Sequence, residues 1–224
     1  MHEALKHIPD RIIGLAEGSL ALANMHAVFS DPYTEYWGQL CILSAAHAGE
    51  LFIKAIIAQE HPLLIFRDFF SVDDRTSTDL SIEKLIKRGR TYDFKDLPRL
   101  LWVATGKRIP DMQSFEEIQR TRNAIQHFCA PELTDLRSLA LEFIYNNVDP
   151  LIYEHFGLCA IEYHEDHSIG YDHVVSRIVR QELLFSIPDG FSIGEFDLAD
   201  ELGATSPEYR AEVLRRLAEK GITL

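Results

Sequence analysis

A cation, an amide and an imidazole stand close together in the segment 116–129, EEIQRTRNAIQHFC. If this segment is a helix, Asn123 and His127 lie one turn apart on one face, and the long side chain of Arg122 can reach the same point. A guanidinium binds phosphate oxygens through a fork of N–H donors, and imidazole is the side chain that titrates nearest neutrality. The spacing therefore indicates a place where an anion can be held and a proton moved.

The position of Arg122 on this helix adds a constraint. At about 100° per residue, Arg122 falls within an apolar stripe that also holds Ile118, Ile125 and Cys129. An unpaired guanidinium buried in such a stripe would cost several kcal/mol. Arg122 therefore requires either a carboxylate inside the protein or a cleft that admits an anion.

A second stretch supplies a candidate carboxylate. His47, Glu50 and Lys54 are spaced by three and four residues in a long apolar segment, so a helix would place them on one face. Glu50 is the predicted partner of Arg122, and His47, one turn from Glu50, could border the same cleft. Arg120, on the stripe of the amide and the imidazole, completes the supporting residues.

Helix signals place these residues in an all-α protein. Start and stop signals before residue 148 predict these helices: Asp10 to Phe29, Tyr33 to Glu60 ahead of Pro62, Asp79 or Ser81 to Arg88, Asp96 and Pro98 to Gly106, a Ser114/Glu117 capping box to Pro131, and Glu132 to Asn147. Residues 1–148 are therefore predicted to form an antiparallel helical bundle. Residues 149–224 follow Asp149 and Pro150 and are predicted to form a small, mainly helical accessory region, with Ser206 and Pro207 at the start of its last helix.

Length and composition agree with a folded, soluble protein. The chain has 224 residues, 46% of them hydrophobic, enough for one domain with an appendage or for two small domains. The three cysteines are far apart and odd in number, which favours reduced packing thiols and a cytoplasmic location. The start of the chain lacks a secretory pattern, and polar residues interrupt the apolar windows, so no membrane contact is predicted.

Charge is uneven along the chain. A net charge of −13 argues against non-specific coating of nucleic acid, because such binding depends on neutralising phosphates. Residues 83–122, however, hold ten Lys and Arg against six acidic residues, a net of +4, which leaves −17 for the rest. The basic region leads directly into the segment of Arg122, although solvated helix faces and loops would give the same count.

Two motifs in this order resemble the HEPN superfamily, the higher eukaryote and prokaryote nucleotide-binding helical domain. They are HAGELFIKAII at residues 47–57 and RTRNAIQHF at residues 120–128, and the likeness spans residues 10–147. The resemblance implies a four- or five-helix bundle that commonly forms a homodimer. It also implies, as in many members, a metal-independent endoribonuclease with a cleft shared by two subunits. The family's Arg, polar and His residues correspond here to Arg122, Asn123 and His127.

The resemblance also implies a mechanism. RNA cleavage without a metal needs a base for the 2′-OH proton, an acid for the leaving oxygen and a cation for the charge growing on the phosphate. His127 would move protons, Arg122 would bind the phosphate, and Asn123 would orient either group. Because one helix supplies one histidine, a two-fold dimer would furnish acid and base together. The product would be a 2′,3′-cyclic phosphate.

The family suggests a biological setting as well. Antiviral defence or toxin–antitoxin growth control is expected, with an antitoxin or another protein partner beside the RNA substrate. Some toxin members carry a tyrosine two residues after the histidine, which a partner nucleotidyltransferase modifies; Cys129 stands at that position here, a departure from those members. No cofactor and no metal are predicted.

Other interpretations of the central helix remain open. A non-catalytic HEPN domain could bind a nucleotide or a protein through the same surface. Arg122 and Glu50 could also pair only to fix helix packing, with His127 an ordinary surface histidine.

Two further segments have alternative functions. A polar stretch carries groups that could bind a metal, although their spacing matches no helical zinc signature: His164, Glu165, Asp166, His167, Asp172 and His173. The C-terminal segment resembles two helices of a winged helix-turn-helix, in which Arg210, Arg215 and Arg216 would face DNA in a transcriptional regulator. Residues 188–224, however, hold eight acidic and four basic side chains, a poor match to a phosphate backbone.

Overall fold

The computed structural model describes residues 1–29, 33–67, 86, 88–127, 135–164 and 170–224. Within these ranges the chain forms helices and no strand, and an isolated antiparallel bridge joins Phe66 to Thr91. The all-α prediction is therefore confirmed. The α-helices are α1 (Glu3–Lys6), α2 (Ile8–Val28), α3 (Trp37–Glu60), α4 (Leu97–Thr105), α5 (Met112–His127), α6 (Leu136–Phe143), α7 (Asp149–Phe156), α8 (Asp172–Arg180), α9 (Leu198–Gly203) and α10 (Pro207–Glu219). A π-helical turn spans Ile144–Val148, and 3₁₀ turns span Pro62–Ile65, Phe94–Asp96 and Ala160–Glu162.

Two long helices begin at residues other than the predicted ones. α2 begins at Ile8 rather than after Asp10, and Asp10 lies in its first turn, where an acidic side chain also interacts favourably with the helix amides. α3 begins at Trp37 rather than Tyr33, and it ends ahead of Pro62 as predicted. The helix starts predicted at residues 79 and 81 lie outside the described ranges.

The chain folds into two compact units that do not follow the chain order. The first consists of Met1–Ala16 and Glu50–Ile109, and the second of Glu17–Gly49 and Pro110–Leu224. Helices α2 and α3 each contribute one part to each unit. Residues 149–224 belong to the second unit together with residues 110–148. The domain boundary after residue 148 stays a prediction.

In the first unit, α4 is positioned by its apolar face and by the residues at its ends. Leu97 and Leu101 are fully buried, and Phe94 in the preceding turn is buried with them. Pro98 stands in the first turn of the helix. Gly106 ends it with a φ of +76°, a left-handed conformation that glycine adopts at least cost because it lacks a Cβ. Both limits agree with the sequence prediction.

A buried lysine joins α3 to the bridge segment of the first unit. Lys54 Nζ donates to Glu50 Oε1 at 2.7 Å and to Thr91 Oγ1 at 3.0 Å. Only 8% of the Lys54 side chain and 15% of the Glu50 side chain are exposed, so each charge compensates the other away from bulk water. The pair therefore holds the bridge segment against α3.

In the second unit, α3 packs through small residues. Ala45, Ala46 and Ala48 are fully buried, and at Gly49 the ring of Phe143 from α6 lies directly over the backbone. A Cβ built on Gly49 would meet two carbons of that ring at 2.4 and 2.6 Å. The close approach of the two helices thus depends on the missing side chain of Gly49.

Asn24 is a second buried anchor of this unit. Its side-chain nitrogen donates to the carbonyls of Ala160 and Tyr163 at 3.0 and 2.8 Å, and its oxygen accepts from the Tyr145 hydroxyl at 3.1 Å. Asn24 is fully buried, so these bonds replace the water that the amide loses on folding. They fix the second part of α2 within the unit.

One described helix, α3, is long and apolar enough to cross a membrane by length and composition. Of its most apolar stretch, 67% is buried inside the protein. Burial of this extent is typical of the core helix of a soluble protein, so the helix is only a weak indication of a membrane span. The cytoplasmic location stays a prediction.

The contact at Gly49 yields a stability prediction. Gly49→Ala pushes the ring of Phe143 away from α3, and we expect the free energy of unfolding to fall by about 1–3 kcal/mol, the usual cost of overpacking. Gly14→Ala is the matched control, because a Cβ there meets nothing within 4 Å and the helix should gain about 0.5–1 kcal/mol. Urea unfolding followed by circular dichroism measures both changes. A Gly49→Ala protein as stable as wild type would contradict this packing.

Candidate functional site

Helix α5 carries the three predicted reactive residues in its last turns. Its buried face is formed by Ser114, Phe115, Ile118 and Thr121. Arg122 lies beside this face and is half-buried, whereas Asn123 and His127 are exposed. The helix therefore presents an amide and an imidazole to solvent one turn apart, with the arginine at the edge of the core.

The start of α5 is fixed by Asp111. Its carboxylate accepts from the backbone N–H groups of Gln113 and Ser114 at 3.0 and 3.2 Å, so Asp111 is the N-cap. The capping box predicted from Ser114 and Glu117 is therefore wrong. Ser114 is buried instead, and its hydroxyl accepts a hydrogen bond of 2.7 Å from the side chain of Asn147. The same hydroxyl donates to the carbonyl of Asp111 at 3.3 Å, so the Ser114 side chain links the core to the start of the helix without capping a helix N–H group.

The π-helical turn at Ile144–Val148 holds the start of α5 in place. Asn147 accepts from the N–H of Asp111 at 2.7 Å through its side-chain oxygen and donates to Ser114 through its nitrogen. Asn147 is 1% exposed, so both ends of its amide are used inside the core. These two bonds orient the helix that carries the candidate site.

The π-helical turn arises where the chain continues as a helix through Pro150. Proline has no N–H and cannot donate to the carbonyl four residues earlier. In this turn the spacing widens, and the N–H of Asp149 donates to the carbonyl of Ile144, five residues earlier. The break that the sequence indicated at Asp149 and Pro150 is absent, and α7 follows α6 without a loop.

The roles of Asn146 and Asn147 were not predicted from the sequence. The one local signal is that Asn146 and Asn147 stand within an otherwise apolar helix, where a buried amide needs partners. Asn146 is half-buried and donates to the Asp111 carboxylate at 3.4 Å, a long hydrogen bond. Asn147 therefore makes the stronger connection.

The two halves of α5 have opposite electrostatic surroundings. Near the first half, burial raises the pKa of Glu142, and the charges of Glu117 and Asp111 raise it further. The second half carries Arg120, Arg122 and the histidine. Carboxylates therefore surround the first half of α5, whereas its two arginines lie in the second half with the predicted residues.

The supporting residues lie on two helices. Arg120 is exposed and donates through Nε to a carbonyl one turn earlier on α5, at 3.3 Å. His47 is exposed on α3. Lys54 is committed to the buried pair with Glu50, so its charge is not available at the surface. The pairing of Glu50 with Arg122 stays a prediction.

The C-terminal arginines make contacts within the protein. Arg210 donates to three carbonyls at the end of α9 and in the turn that follows. Arg215 and Arg216 both pair with Glu212 on α10. Residues 170–224 contain α8, α9 and α10 without a strand. In this part of the chain, the predicted DNA-binding module therefore has neither a β-wing nor unengaged arginines.

The polar stretch that could bind a metal is described only in part. Residues 165–169 lie outside the described ranges, as do Cys129 and Pro131. Asp172 is 7% exposed, and its Oδ2 accepts from the N–H groups of Gly194 and Glu195, each at 2.7 Å. Its carboxylate therefore has a structural role, which is to hold the segment that leads into α9.

The two described cysteines are unreactive. Cys41 and Cys159 are buried, and burial raises the pKa of each thiol to about 12. Because the thiolate is the nucleophile, both side chains stay in the inert thiol form at neutral pH. The Cys41 thiol instead donates to the carbonyl of Ala23 at 3.4 Å.

Comparisons with known proteins do not supply a family. No family model, curated protein or solved structure matches the chain significantly. The HEPN resemblance therefore rests on its two motifs and on their order in the sequence.

The connection through Asn147 can be tested by comparing adjacent asparagines. Asn147→Ala leaves a backbone N–H and a buried hydroxyl without their partner, and we expect a loss of about 1–3 kcal/mol in the free energy of unfolding. Asn146→Ala is the control, with an expected change within about 0.5 kcal/mol. Chemical unfolding of both variants gives the comparison, and equal losses would contradict the role assigned to Asn147.

Proposed function

We propose that the protein is a metal-independent endoribonuclease whose site comprises Arg122, Asn123 and His127. The observation that carries the proposal is the exposure of an amide and an imidazole one turn apart at the end of α5, beside a half-buried arginine. The charge difference along α5 supports it, because both arginines of the helix lie in this half and guanidinium groups suit phosphate oxygens. The HEPN-like motifs supply the choice of RNA as substrate.

Each residue has a chemical role in this proposal. His127 takes the proton from the 2′-OH or delivers one to the leaving 5′-oxygen. Arg122 stabilises the charge that grows on the phosphate, and Asn123 orients the phosphate or the imidazole. Arg120, exposed one turn before the other groups, contacts a neighbouring phosphate of the strand. The strand is cut to leave a 2′,3′-cyclic phosphate, and no metal is needed.

A homodimer completes the proposed site. Each chain supplies one imidazole at this position, whereas the reaction uses both an acid and a base. A two-fold axis beside the end of α5 would bring two copies of His127 to one phosphate. In this proposal the enzyme acts in antiviral defence or toxin–antitoxin growth control, with an antitoxin or another protein partner.

The decisive experiment is RNA digestion in the presence of EDTA. We expect wild-type protein to cut single-stranded RNA, and His127→Ala to lower the cleavage rate by about 10²–10⁴-fold, the usual contribution of a general acid or base. Arg122→Ala should lower it by about 10²–10³-fold, because it removes a cation from the transition state. Mass spectrometry of the products identifies the cyclic phosphate.

Gln126→Ala is the matched control, because Gln126 is exposed on the same turn and has no role in the proposal. Its cleavage rate should equal that of wild type. Cleavage by His127→Ala at the wild-type rate would refute the site. RNA that wild type binds but never cuts would favour the non-catalytic binding module instead.

A further inference from the structure

A cleft of about 350 Å³ lies in the first unit, between the bridge segment and α4. Two arginines, a tyrosine, a carboxylate and two aliphatic side chains line it: Arg67, Arg99, Tyr92, Asp96, Leu100 and Val103. None of these residues belongs to the proposed nuclease site. The cleft therefore combines guanidinium groups, an aromatic ring and an apolar floor, the groups that contact the phosphate and the base of a nucleotide.

Backbone hydrogen bonds build one wall of the cleft. The N–H of Arg67 donates to the carbonyl of Arg90 at 2.7 Å, and the N–H of Tyr92 donates to the carbonyl of Ile65 at 3.0 Å. Side chains alternate along an extended segment, so Thr91 faces the buried lysine of α3 and Tyr92 faces the cleft. The aromatic ring is therefore carried by a segment that is anchored on its other side.

Both arginines are accessible to a ligand. Arg99 is exposed, and its side chain makes no hydrogen bond or ion pair with any residue that the structure describes. Arg67 is 52% exposed and lies 3.8 Å from the exposed carboxylate of Asp93, a pair weak enough to exchange for a phosphate. Residues 88–109 hold six basic and two acidic side chains, a net of +4 in a chain of −13. The cleft thus lies in a basic region of an acidic protein.

Exposed apolar side chains extend this surface along α4. Trp102 is 50% exposed and Val103 is 67% exposed, and the guanidinium of Arg108 lies 5.6 Å from the centroid of the Trp102 ring. The buried face of α4 is formed by other residues, so these side chains do not pack in the core. Cations interleaved with aromatic rings are typical of proteins that bind single-stranded nucleic acid, where phosphates pair with cations and bases stack on rings.

We propose that this cleft binds a nucleotide of single-stranded RNA. The phosphate lies between Arg67 and Arg99, whose forked donors suit its oxygens, and the base stacks on Tyr92 above the aliphatic floor. Asp96 accepts a hydrogen bond from an N–H group of the base. Bases that are paired and stacked within a duplex do not offer their faces to such a ring, whereas those of a single strand do. The choice of RNA rests on the proposed function, whereas the affinity for a nucleotide in a single strand does not.

Fluorescence anisotropy with a short labelled single-stranded RNA tests this inference. All proteins carry His127→Ala, and EDTA is present throughout, so that cleavage does not disturb the binding equilibrium. The cleft variants are Arg99→Gln and Tyr92→Leu, with Tyr92→Phe to retain the ring. Lys95→Gln is the control, because Lys95 is exposed on the same basic segment and does not line the cleft. Circular dichroism verifies that each variant is folded.

We expect Arg99→Gln to weaken RNA binding about tenfold and Tyr92→Leu about five- to a hundredfold, as for the loss of one phosphate contact or one stacked base. Tyr92→Phe should bind within about twofold of the parent protein, because the stacking surface is kept. The inference is overturned if Lys95→Gln weakens binding as much as Arg99→Gln does. It is also overturned if duplex DNA of the same length binds as tightly as the RNA.

Failure of this inference and failure of the proposed function are distinguishable. If the RNA binds with the expected dependence on Arg99 and Tyr92 but wild type never cuts it, the proposed function fails and the RNA-binding cleft stands. The opposite result is that the cleft variants Arg99→Gln and Tyr92→Leu bind the RNA as tightly as the parent protein. If they also cut a limiting concentration of RNA at the wild-type rate, the cleft is not used and only this inference fails.

Discussion

The contact between α3 and α6 at Gly49 is the constraint on which the second unit depends. The missing side chain admits the ring of Phe143, and the same Cβ position lies 3.4 Å from Val148 at the far end of the π-helical turn. The turn is thereby held at both ends against α3. Asn147 lies within the turn and forms hydrogen bonds with Asp111 and with Ser114 at the start of α5. The direction of α5 therefore follows from the packing of a glycine on another helix. The candidate residues at the end of α5 are positioned by these contacts, although none of them makes one of the contacts.

The fold class could be predicted because its signals are local. Gly106 ends α4 and Ser206 caps α10, where its hydroxyl accepts from the N–H of Tyr209, and both functions depend only on residues a few positions away. The cap of α5 was not predicted correctly, and the side chain of Ser114 instead accepts from an amide 33 residues later in the chain. Spacing along the sequence contains no information about such a partner. The C-terminal arginines are a different case, because their partners are local: Glu212 lies three and four residues before Arg215 and Arg216 on the same helix. The DNA contacts were predicted from the positions of the arginines without these ion pairs being considered.

The helix that carries the candidate residues could be predicted from the sequence, whereas the centre of its buried face could not. The sequence placed Arg122 in the middle of an apolar stripe, whereas the buried face of α5 is centred closer to Phe115 and Thr121 and leaves the arginine half-buried. The ring of Phe115 packs against Phe143, with 6.1 Å between the ring centroids. This contact directs the face of α5 that carries Phe115 towards α6. A helical periodicity shows that an apolar face exists, but the neighbouring helix decides which residues occupy its centre. The aromatic and basic cleft of the first unit was not predicted, because the bridge that builds it joins segments 25 residues apart.

The π-helical turn also controls the rotation of everything that follows it. The turn accommodates one residue more than an α-helical turn, and each residue advances a helix by about 100°. The carboxylate of Asp149 now accepts hydrogen bonds from the N–H groups of Ala160 and Ser186 at 2.8 and 2.7 Å. If one residue of the turn were deleted, this carboxylate would rotate away from both donors. A buried carboxylate would then lack the donors that compensate for its lost hydration. The number of residues in this segment is therefore physically constrained as well as their types, and related chains should keep its length.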